Sequence, residues 1–191
     1  MQEYEHSMGV ISRQADRMQK MVTELLMLSK METHTISAEF ETVDVSELLS
    51  FICEEQEEIQ SPEISMERHI TPGIFAKADR GLLARLFINL LDNAYRYSKE
   101  NGTIKVVLEE KNSKIVFSVA DNGIGIAEEE LPLIWNRFYR VEKSRNSGEN
   151  NNMGLGLSMV KWIAEYHKGE IMVNSKLGEG SEFIFVLPAG E

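Results

Sequence analysis

Apolar residues recur every three or four positions through the first 32 residues, a stretch with no proline and a single glycine. This spacing predicts one helix of about 30 residues whose narrow apolar stripe needs a partner helix. The stripe comprises Ile11, Ala15, Met18, Met21, Val22, Leu25 and Leu28. The simplest prediction is a four-helix bundle, completed by a missing preceding helix and a second copy of the chain. The alternative is a helix that folds back on its own domain.

A second helix is predicted to begin at Asp44. Asp44 followed by Glu47 is close to a capping box, which makes residues 33–43 a linker and domain boundary. Strands are predicted over residues 64–70 and, after a turn, up to Ala78. The apolar face of the second helix comprises Val45, Leu48, Leu49, Ile52 and Ile59.

The next predicted helix, Asp79 to Ser98, combines an apolar face with an unusual polar one. Its apolar face comprises Leu83, Phe87, Leu90, Leu91 and Ala94. The polar side chains that share a neighbouring face are Asn89, Asn93, Arg96 and Tyr97. Amide oxygens suit Mg²⁺, a guanidinium binds phosphate, and a phenol can pack on a sugar or base. This face therefore predicts a magnesium and phosphate site; the alternative is that both Asn residues are simply exposed.

A hairpin with strands near residues 103–110 and 114–120 leads into Asp121-Asn122-Gly123-Ile124-Gly125-Ile126. The two glycines allow positive φ and the close approach of another molecule, for which a ligand is the simplest candidate. A carboxylate at an apolar strand end needs a donor, because a buried unpaired charge is costly. The exocyclic amine of adenine would supply one. The alternative is an ordinary turn, since Asp, Asn and Gly are common turn formers.

Residues 128–138 are predicted to form a short helix in which Trp135 and Phe138 have a core role. The polar segment 142–152 can bury almost nothing and is predicted to be a lid. Four cations adjoin it, namely Arg137, Arg140, Lys143 and Arg145. In an otherwise acidic chain this cluster predicts phosphate binding; the alternative is a solvated basic loop.

After the lid, Met153-Gly154-Leu155-Gly156-Leu157 opens a helix that is predicted to run to about His167. Backbone amides at a helix N-terminus behind glycines form an anion site. The motif is neither a P-loop nor GxGxxG, which disfavours both of those nucleotide folds. Two strands complete the chain from Gly169 to Leu187. His167, like His34 and His69, is interpreted as structural, because no pair of histidines has zinc-ligand spacing.

Composition excludes several classes of function. The formal charge of −11 and the pI near 4.9 disfavour non-specific binding to nucleic acid or anionic membrane. Cys53, the single cysteine, excludes an internal disulfide and is interpreted as a core residue. There is no apolar run long enough to span a membrane and no signal-peptide pattern.

Five motifs in order resemble the ATP-binding domain of the sensor histidine kinases of two-component systems, a fold shared with gyrase, Hsp90 and MutL ATPases. NLLDNAYRYS resembles the N box, DNGIGI the first glycine box, RFYRVEKSR the F box, GLGLSMVK the second glycine box and GEGSEFIFVLP the last. LLMLSKME resembles the end of the second helix of the dimerisation and phosphotransfer bundle. The resemblance covers essentially all 191 residues.

The resemblance implies an α+β fold in which a mixed sheet packs on helices. This is a two-layer α/β sandwich, the Bergerat ATP-binding fold, preceded by one long bundle-forming helix. Residues 1–32 would be the partial second helix of the bundle, 33–43 the linker, and 44–191 the catalytic ATP-binding domain. ATP and Mg²⁺ are the implied cofactors. The implied partners are a response regulator receiver domain and a second copy of the chain, with no nucleic acid.

The resemblance also implies roles for individual residues. Asp121 would bind the adenine amine, Asn93 with Asn89 would hold Mg²⁺, and these two with Arg140 would be catalytic. The full implied nucleotide-binding set is Asn89, Asn93, Arg96, Tyr97, Asp121, Gly123, Gly125, Ile126, Phe138, Arg140, Lys143, Gly154, Leu155, Gly156, Leu157 and Ser181.

The chain departs from the family pattern at three places. Arg96 stands where the family usually has Lys, and Asn151-Asn152-Met153 replaces a glycine-rich run before the second glycine box. No His-Glu-x-x-Thr-Pro phosphoacceptor box is present. The chain is therefore predicted to be a cytoplasmic kinase fragment that binds Mg-ATP but cannot phosphorylate itself; the family includes bacterial membrane receptors.

Two other functions remain as alternatives at this point. One is a non-catalytic ATP-binding or dimerising interaction module of the same fold. The other is a serine kinase of the anti-sigma type, which fits less well because that class lacks the long first helix.

Overall fold

The computed structural model describes residues 39–61, 63–141 and 153–188, together with 8, 14, 15, 18, 19, 22, 23, 25–27, 29 and 33. The chain divides into two compact units, Met1–Ser37 and Ala38–Glu191. The described residues of the first unit from Met8 to Ser29 are helical. Within this helix the Thr23 hydroxyl donates to the Gln19 carbonyl at 2.8 Å. The predicted preceding helix is thus present.

The described residues of the second unit form a five-stranded mixed sheet, a separate two-stranded sheet and three α-helices. Its elements are β1 Glu41–Asp44, α1 Val45–Ile59, β2 Ser65–Ile70, β3 Phe75–Ala78, α2 Arg80–Tyr97, β4 Thr103–Lys111, β5 Lys114–Asp121, a 3₁₀ turn Glu128–Glu130, α3 Gly156–Tyr166, β6 Glu170–Lys176 and β7 Gly180–Pro188. The large sheet has the order β2-β4-β5-β7-β6, and β1 pairs with β3 in a separate two-stranded sheet. Only the β2–β4 pairing in the large sheet is parallel.

One face of the large sheet packs on the helices and forms the core. Alternate residues of the three central strands are buried, because successive side chains of a strand point to opposite faces. They are Ile104, Val106, Leu108, Ile115, Phe117, Val119, Phe183, Phe185 and Leu187. Helix α2 meets this face where the rings of Phe87 and Phe117 lie 4.7 Å apart between centroids. The predicted α+β fold with a mixed sheet on helices is confirmed.

Side-chain caps begin the first two helices at the predicted positions. Asp44 accepts a hydrogen bond from the Glu47 N–H at 2.9 Å, and Asp79 accepts one from the Leu82 N–H at 2.9 Å. Each carboxylate thereby satisfies an amide that has no partner within its own helix.

The buried imidazole of His167 joins the end of α3 to the start of α2. Its Nδ1 bonds to the Ile163 carbonyl at 2.8 Å, and its Nε2 accepts from the Asp79 N–H at 3.1 Å. Burial lowers the pKa of His167, which keeps the ring neutral and able to accept at Nε2. This geometry confirms the structural interpretation of His167.

Strand β1 lies partly inside the predicted linker and was not expected. It pairs antiparallel with β3, matching Glu41 to Ala78 and Asp44 to Phe75. Of its four residues only Val43 is fully buried. A four-residue strand with one inward side chain has too weak an alternation to be found in the sequence.

The predicted helix over residues 128–138 is wrong. Only Glu128–Glu130 is helical, as one 3₁₀ turn, and a series of turns follows. Pro132 provides no N–H for an α-helical bond to Glu128. Ile134 is buried and Trp135 packs edge-on against Phe183, whereas Phe138 has φ +64° and is 58% exposed. The predicted core role is therefore wrong for Phe138.

Cys53 is fully buried in α1, as predicted. Burial raises the pKa of its thiol to about 12, so the thiol stays protonated at neutral pH. Within the described part of the chain, no helix is both long and apolar enough to cross a membrane.

Candidate functional site

A cavity of about 820 Å³ opens beside α2 in the second unit. It is lined by the C-terminal half of α2 with Lys99, the end of β5 and the loop after it, residues 127–141, the start of α3, the turn between β6 and β7, and the first half of β7. A volume of this size falls in the range of small-molecule sites, roughly 300–1,000 Å³.

The predicted polar face of α2 forms one wall of this cavity. All four of its side chains line the cavity, namely Asn89, Asn93, Arg96 and Tyr97. The Asn89 amide donates from Nδ2 to the Arg85 carbonyl at 2.8 Å, so its Oδ1 remains available as an acceptor. A Cβ on Gly156 would lie 3.1 Å from that oxygen, which places Oδ1 against the start of α3. The helical spacing of these residues predicted their convergence correctly.

A hard-cation site formed by these amides fits the structure. The hydrogen bond from Asn89 Nδ2 turns the amide oxygen, the atom that Mg²⁺ prefers, toward the glycine that opens α3. Among the described residues, no group of three or more His, Cys, Asp or Glu side chains could hold a metal ion. A few amide oxygens leave most of the coordination shell to water and phosphate, which suits Mg²⁺ better than Zn²⁺.

Asp121, the last residue of β5, also lines the cavity. Its Oδ1 accepts from the Gly123 N–H at 2.8 Å, and the residue paired with Asp121 on β7 is Ser181. The bond from Gly123 holds the orientation of the carboxylate. An ionised carboxylate offers about four lone-pair positions, so acceptor capacity remains for a donor in the cavity.

Burial raises the pKa of Asp121 above its ordinary value of 3.8, although the bonds from Gly123 and Ser181 and the charge of Lys99 oppose the shift. Ionising this carboxyl therefore lowers the free energy of unfolding as the pH rises through the folded-state pKa. We expect nucleotide-free Asp121→Asn to be more stable than the parent chain near neutral pH, and the gain to vanish as the pH falls toward 3.8. Urea unfolding across this pH range measures the difference. A gain that is the same at every pH would contradict it.

The loop after Asp121 packs closely on the protein's own backbone. Gly125 has φ +64°, and a Cβ there would lie 2.0 Å from the Lys176 carbonyl oxygen. Glycine is therefore required even without a bound ligand. The Ile124 N–H donates to the Tyr97 carbonyl at 3.0 Å, which attaches the loop to the end of α2.

The turn between β6 and β7 forms a wall that the sequence did not reveal. The Gly178 N–H donates to the Ile124 carbonyl at 2.7 Å, and Lys99 Nζ donates to the Gly178 carbonyl at 2.9 Å. Lys99, Leu177 and Gly178 all line the cavity, and none was predicted as a site residue. The turn itself was predicted, but its position beside Asp121 depends on strand pairing.

Residues on either side of segment 142–152 meet beside the cavity. The Phe138 N–H donates to the Gly154 carbonyl at 3.0 Å. Arg140, Gly154, Gly156 and Leu157 line the cavity, so a cation and the start of α3 share its edge. The predicted lid itself, with Lys143 and Arg145, lies outside the described residues.

The structure brings most of the predicted site residues together. Lining the cavity are Asn89, Asn93, Arg96, Tyr97, Asp121, Gly125, Ile126, Arg140, Gly154, Gly156, Leu157 and Ser181. Three other predicted residues do not line it: Gly123 supports Asp121, Leu155 is buried below the start of α3, and Phe138 faces solvent. Among the lining residues not predicted are Tyr139, whose hydroxyl donates to Glu130, and Phe183.

Residues 78–191 match the family described as Histidine kinase-, DNA gyrase B-, and HSP90-like ATPase. The sensor histidine kinase RppB of Synechocystis is 33% identical over 93% of this chain and 39% of its own length. The signal transduction histidine-protein kinase ArlS of Staphylococcus epidermidis is 34% identical over 96% of this chain and 40% of its own length. The chain thus spans about 40% of the length of these curated relatives.

Solved structures similar to this chain are also histidine kinases. The mycobacterial sensor histidine kinase MprB is 28% identical with a TM-score of 0.68, over 78% of this chain and 97% of its own. A nucleotide-free catalytic domain of the histidine kinase ThkA is 31% identical with a TM-score of 0.67, over 78% of this chain and 95% of its own. Full-length ShkA in complex with AMPPNP is 25% identical with a TM-score of 0.76, over 91% of this chain and 36% of its own. The chain therefore belongs to the histidine kinase-, DNA gyrase B- and HSP90-like ATPase family, as a domain homologous to those of sensor histidine kinases.

Proposed function

We propose that this chain binds Mg-ATP in the cavity beside α2 and provides the catalytic part of a sensor protein-histidine kinase. The observation that carries the proposal is the convergence of Asp121, the polar face of α2 and the start of α3 on one cavity. In the intact protein the γ-phosphoryl group would pass to a histidine outside this chain, and then to an aspartate of a response regulator. The non-catalytic alternative is not favoured, because the relatives are kinases.

Adenine fits the end of the cavity at Asp121. The exocyclic amine would donate to the carboxylate, while Ile126 and Ser181 would border the ring. The Gly123 N–H holds the carboxylate before any ligand arrives, so little of the binding energy is spent on ordering it. Tyr97 would contact the ribose or a phosphate.

The phosphates fit the end where α2 faces the start of α3. Arg96 and Arg140 would contact phosphate oxygens, and the first amides of α3 would add partial positive charge. Asn89 and Asn93 would hold Mg²⁺, which when bound neutralises phosphate charge and orients the transferring group. The chain's own contribution to transfer would be to position the γ-phosphate, since positioning and electrostatics supply most of the catalysis in this class of reaction.

We also propose a role for the first unit. Residues 1–32 would form the second helix of a dimerisation and phosphotransfer bundle, residues 33–43 the linker, and residues 44–191 the ATP-binding domain. The helical state of the described residues from Met8 to Ser29 supports this assignment. A homodimer and a response regulator receiver domain would be the partners of the intact protein, with the ATP-binding domain in the cytoplasm.

Calorimetric titration with a non-hydrolysable ATP analogue, with and without Mg²⁺, tests the binding site. We expect micromolar affinity that changes when Mg²⁺ is added, because the amide oxygens of α2 and the phosphates would share the ion. A folded chain that binds no analogue in either condition would refute the site.

Phosphoryl transfer requires a separate experiment with γ-labelled ATP. We expect no stable label on the chain alone, and labelling of a supplied histidine-containing acceptor domain. Label that stays on the chain by itself would contradict the prediction that the acceptor lies outside it. Binding without any transfer to acceptor domains would favour the interaction module instead.

A further inference from the structure

The hydroxyl of Ser175 connects β6 with two parts of the site, although Ser175 itself does not line the cavity. The Ile126 N–H donates to Ser175 Oγ at 2.8 Å. Ser175 Oγ lies 2.8 Å from the Gly180 carbonyl oxygen and 2.9 Å from Ser181 Oγ. One half-buried side chain thus contacts the loop after Asp121 and the start of β7.

The numbers of donors and acceptors in these contacts determine the direction of each hydrogen bond. A hydroxyl has one proton and two lone pairs. The Gly180 carbonyl can only accept, so it takes the Ser175 proton, and the Ile126 N–H can only donate, so it occupies one lone pair. The remaining lone pair is available for the third contact, which means that Ser181 donates its proton to Ser175.

Ser181 therefore presents lone pairs, not a proton, to the cavity that it lines. It is paired across the β5–β7 ladder with Asp121, whose ionised carboxylate also only accepts. This end of the cavity offers acceptors from both side chains. A purine with an amine at position 6 supplies a hydrogen-bond donor to these two acceptors. A purine with a carbonyl at position 6 places a third acceptor beside them, and no hydrogen bond forms.

We propose that Ser175 is a positioning residue that sets base specificity, by holding the Ser181 hydroxyl as an acceptor and so favouring a 6-amino over a 6-keto purine. The inference deepens the proposed function and rests on it. In Ser175→Ala the Ser181 hydroxyl loses its acceptor and can rotate to donate toward a 6-keto group. Specificity then decreases even if overall affinity changes for other reasons.

The test compares calorimetric dissociation constants for ATP and for inosine triphosphate, whose base has a carbonyl in place of the 6-amine and a proton on N1. We expect the parent chain to prefer ATP at least about tenfold, because a site rejects a ligand that leaves its polar groups unpaired. Ser175→Ala should reduce this preference about fivefold, the effect of one neutral hydrogen bond. Ser175→Thr keeps the hydroxyl and should keep the preference. A loop disturbed only structurally would weaken both nucleotides equally and leave the ratio unchanged.

A double-mutant comparison tests whether Ser175 affects specificity through Ser181. In a Ser181→Ala background, Ser175→Ala should leave the ratio of the two dissociation constants unchanged. A ratio unaffected by Ser175→Ala in the parent, or reduced equally in both backgrounds, would overturn the inference while the proposed function stands. Equal affinity of the parent for the two nucleotides would also overturn the inference without affecting the proposed function. If the folded parent binds neither, the proposed function itself fails, and the inference fails with it.

Two further measurements keep the inference testable if Ser175→Ala is poorly folded. Ser181→Ala alone should reduce the preference for ATP, because the acceptor that opposes the 6-keto group is gone. Hydrogen exchange of the Ile126 amide in the nucleotide-free chain should match the parent in Ser175→Thr, which preserves its acceptor. An unchanged preference in Ser181→Ala would overturn the inference.

Discussion

Replacing Asp121 with Asn is expected to weaken ATP binding at least about tenfold, since a hydrogen bond to a charged group contributes roughly 1.5–3 kcal/mol. The Asn oxygen can still accept from the Gly123 N–H, as Oδ1 of Asp121 does at 2.8 Å. Its amino group would then meet the exocyclic amine of adenine as a second donor. Calorimetric titration with an ATP analogue measures the change.

Asp44→Asn is the matched control for this substitution. Asp44 caps α1 through a bond from the Glu47 N–H and does not line the cavity, and Asn is an equally good N-cap. Its affinity for ATP and its stability should both match those of the parent. If urea unfolding shows that nucleotide-free Asp121→Asn is at least as stable as the parent near neutral pH, a loss of binding there does not come from unfolding. Unchanged affinity would remove the adenine assignment of Asp121.

Gly125→Ala is expected to lower the free energy of unfolding by about 2–5 kcal/mol, from left-handed strain together with overpacking. Gly125 has φ +64°, and the added Cβ would lie 2.0 Å from the Lys176 carbonyl oxygen and 2.7 Å from its carbon. Both neighbours are backbone atoms of Lys176, the last residue of β6, and they cannot rotate away as a side chain would. Urea unfolding measures the loss.

Gly178→Ala separates the close contact from the backbone strain. Gly178 lies in the same turn with φ +86°, but a Cβ there would have nothing within 4 Å. Only the strain of about 1–2 kcal/mol should remain. Equal losses in the two variants would mean that the contact of Gly125 with Lys176 contributes nothing, contrary to the packing of the loop on the turn.

The elements that could be predicted from the sequence are those specified by local signals. Helix α2 was expected from Asp79 to Ser98 and is observed over Arg80–Tyr97, because its cap and apolar period are both local. The same period placed Asn89 and Asn93 on one face, and the structure has both in the cavity wall. The helix over residues 128–138 failed because its apolar residues do not form one stripe and Pro132 interrupts the backbone bonds.

The missed parts of the site are those that strand pairing and loop packing bring together. Lys99 reaches Gly178 across 79 positions of sequence, and Ser175 reaches the predicted residue Ile126 across 49. Lys, Gly and Ser are common in turns, strand ends and exposed positions. Nothing in the sequence around Lys99, Gly178 or Ser175 therefore indicates a contact with the site.

By itself the sequence determined helices α1, α2 and α3, most of the strands, and which polar residues of α2 share one face. Short-range capping, periodicity and turn preferences specify these features. Only the tertiary structure decided the strand order β2-β4-β5-β7-β6, the position of the β6–β7 turn beside Asp121, and the direction of the Ser181 hydroxyl. These depend on the register of strands far apart in the chain, where a shift of one residue would turn every side chain to the other face.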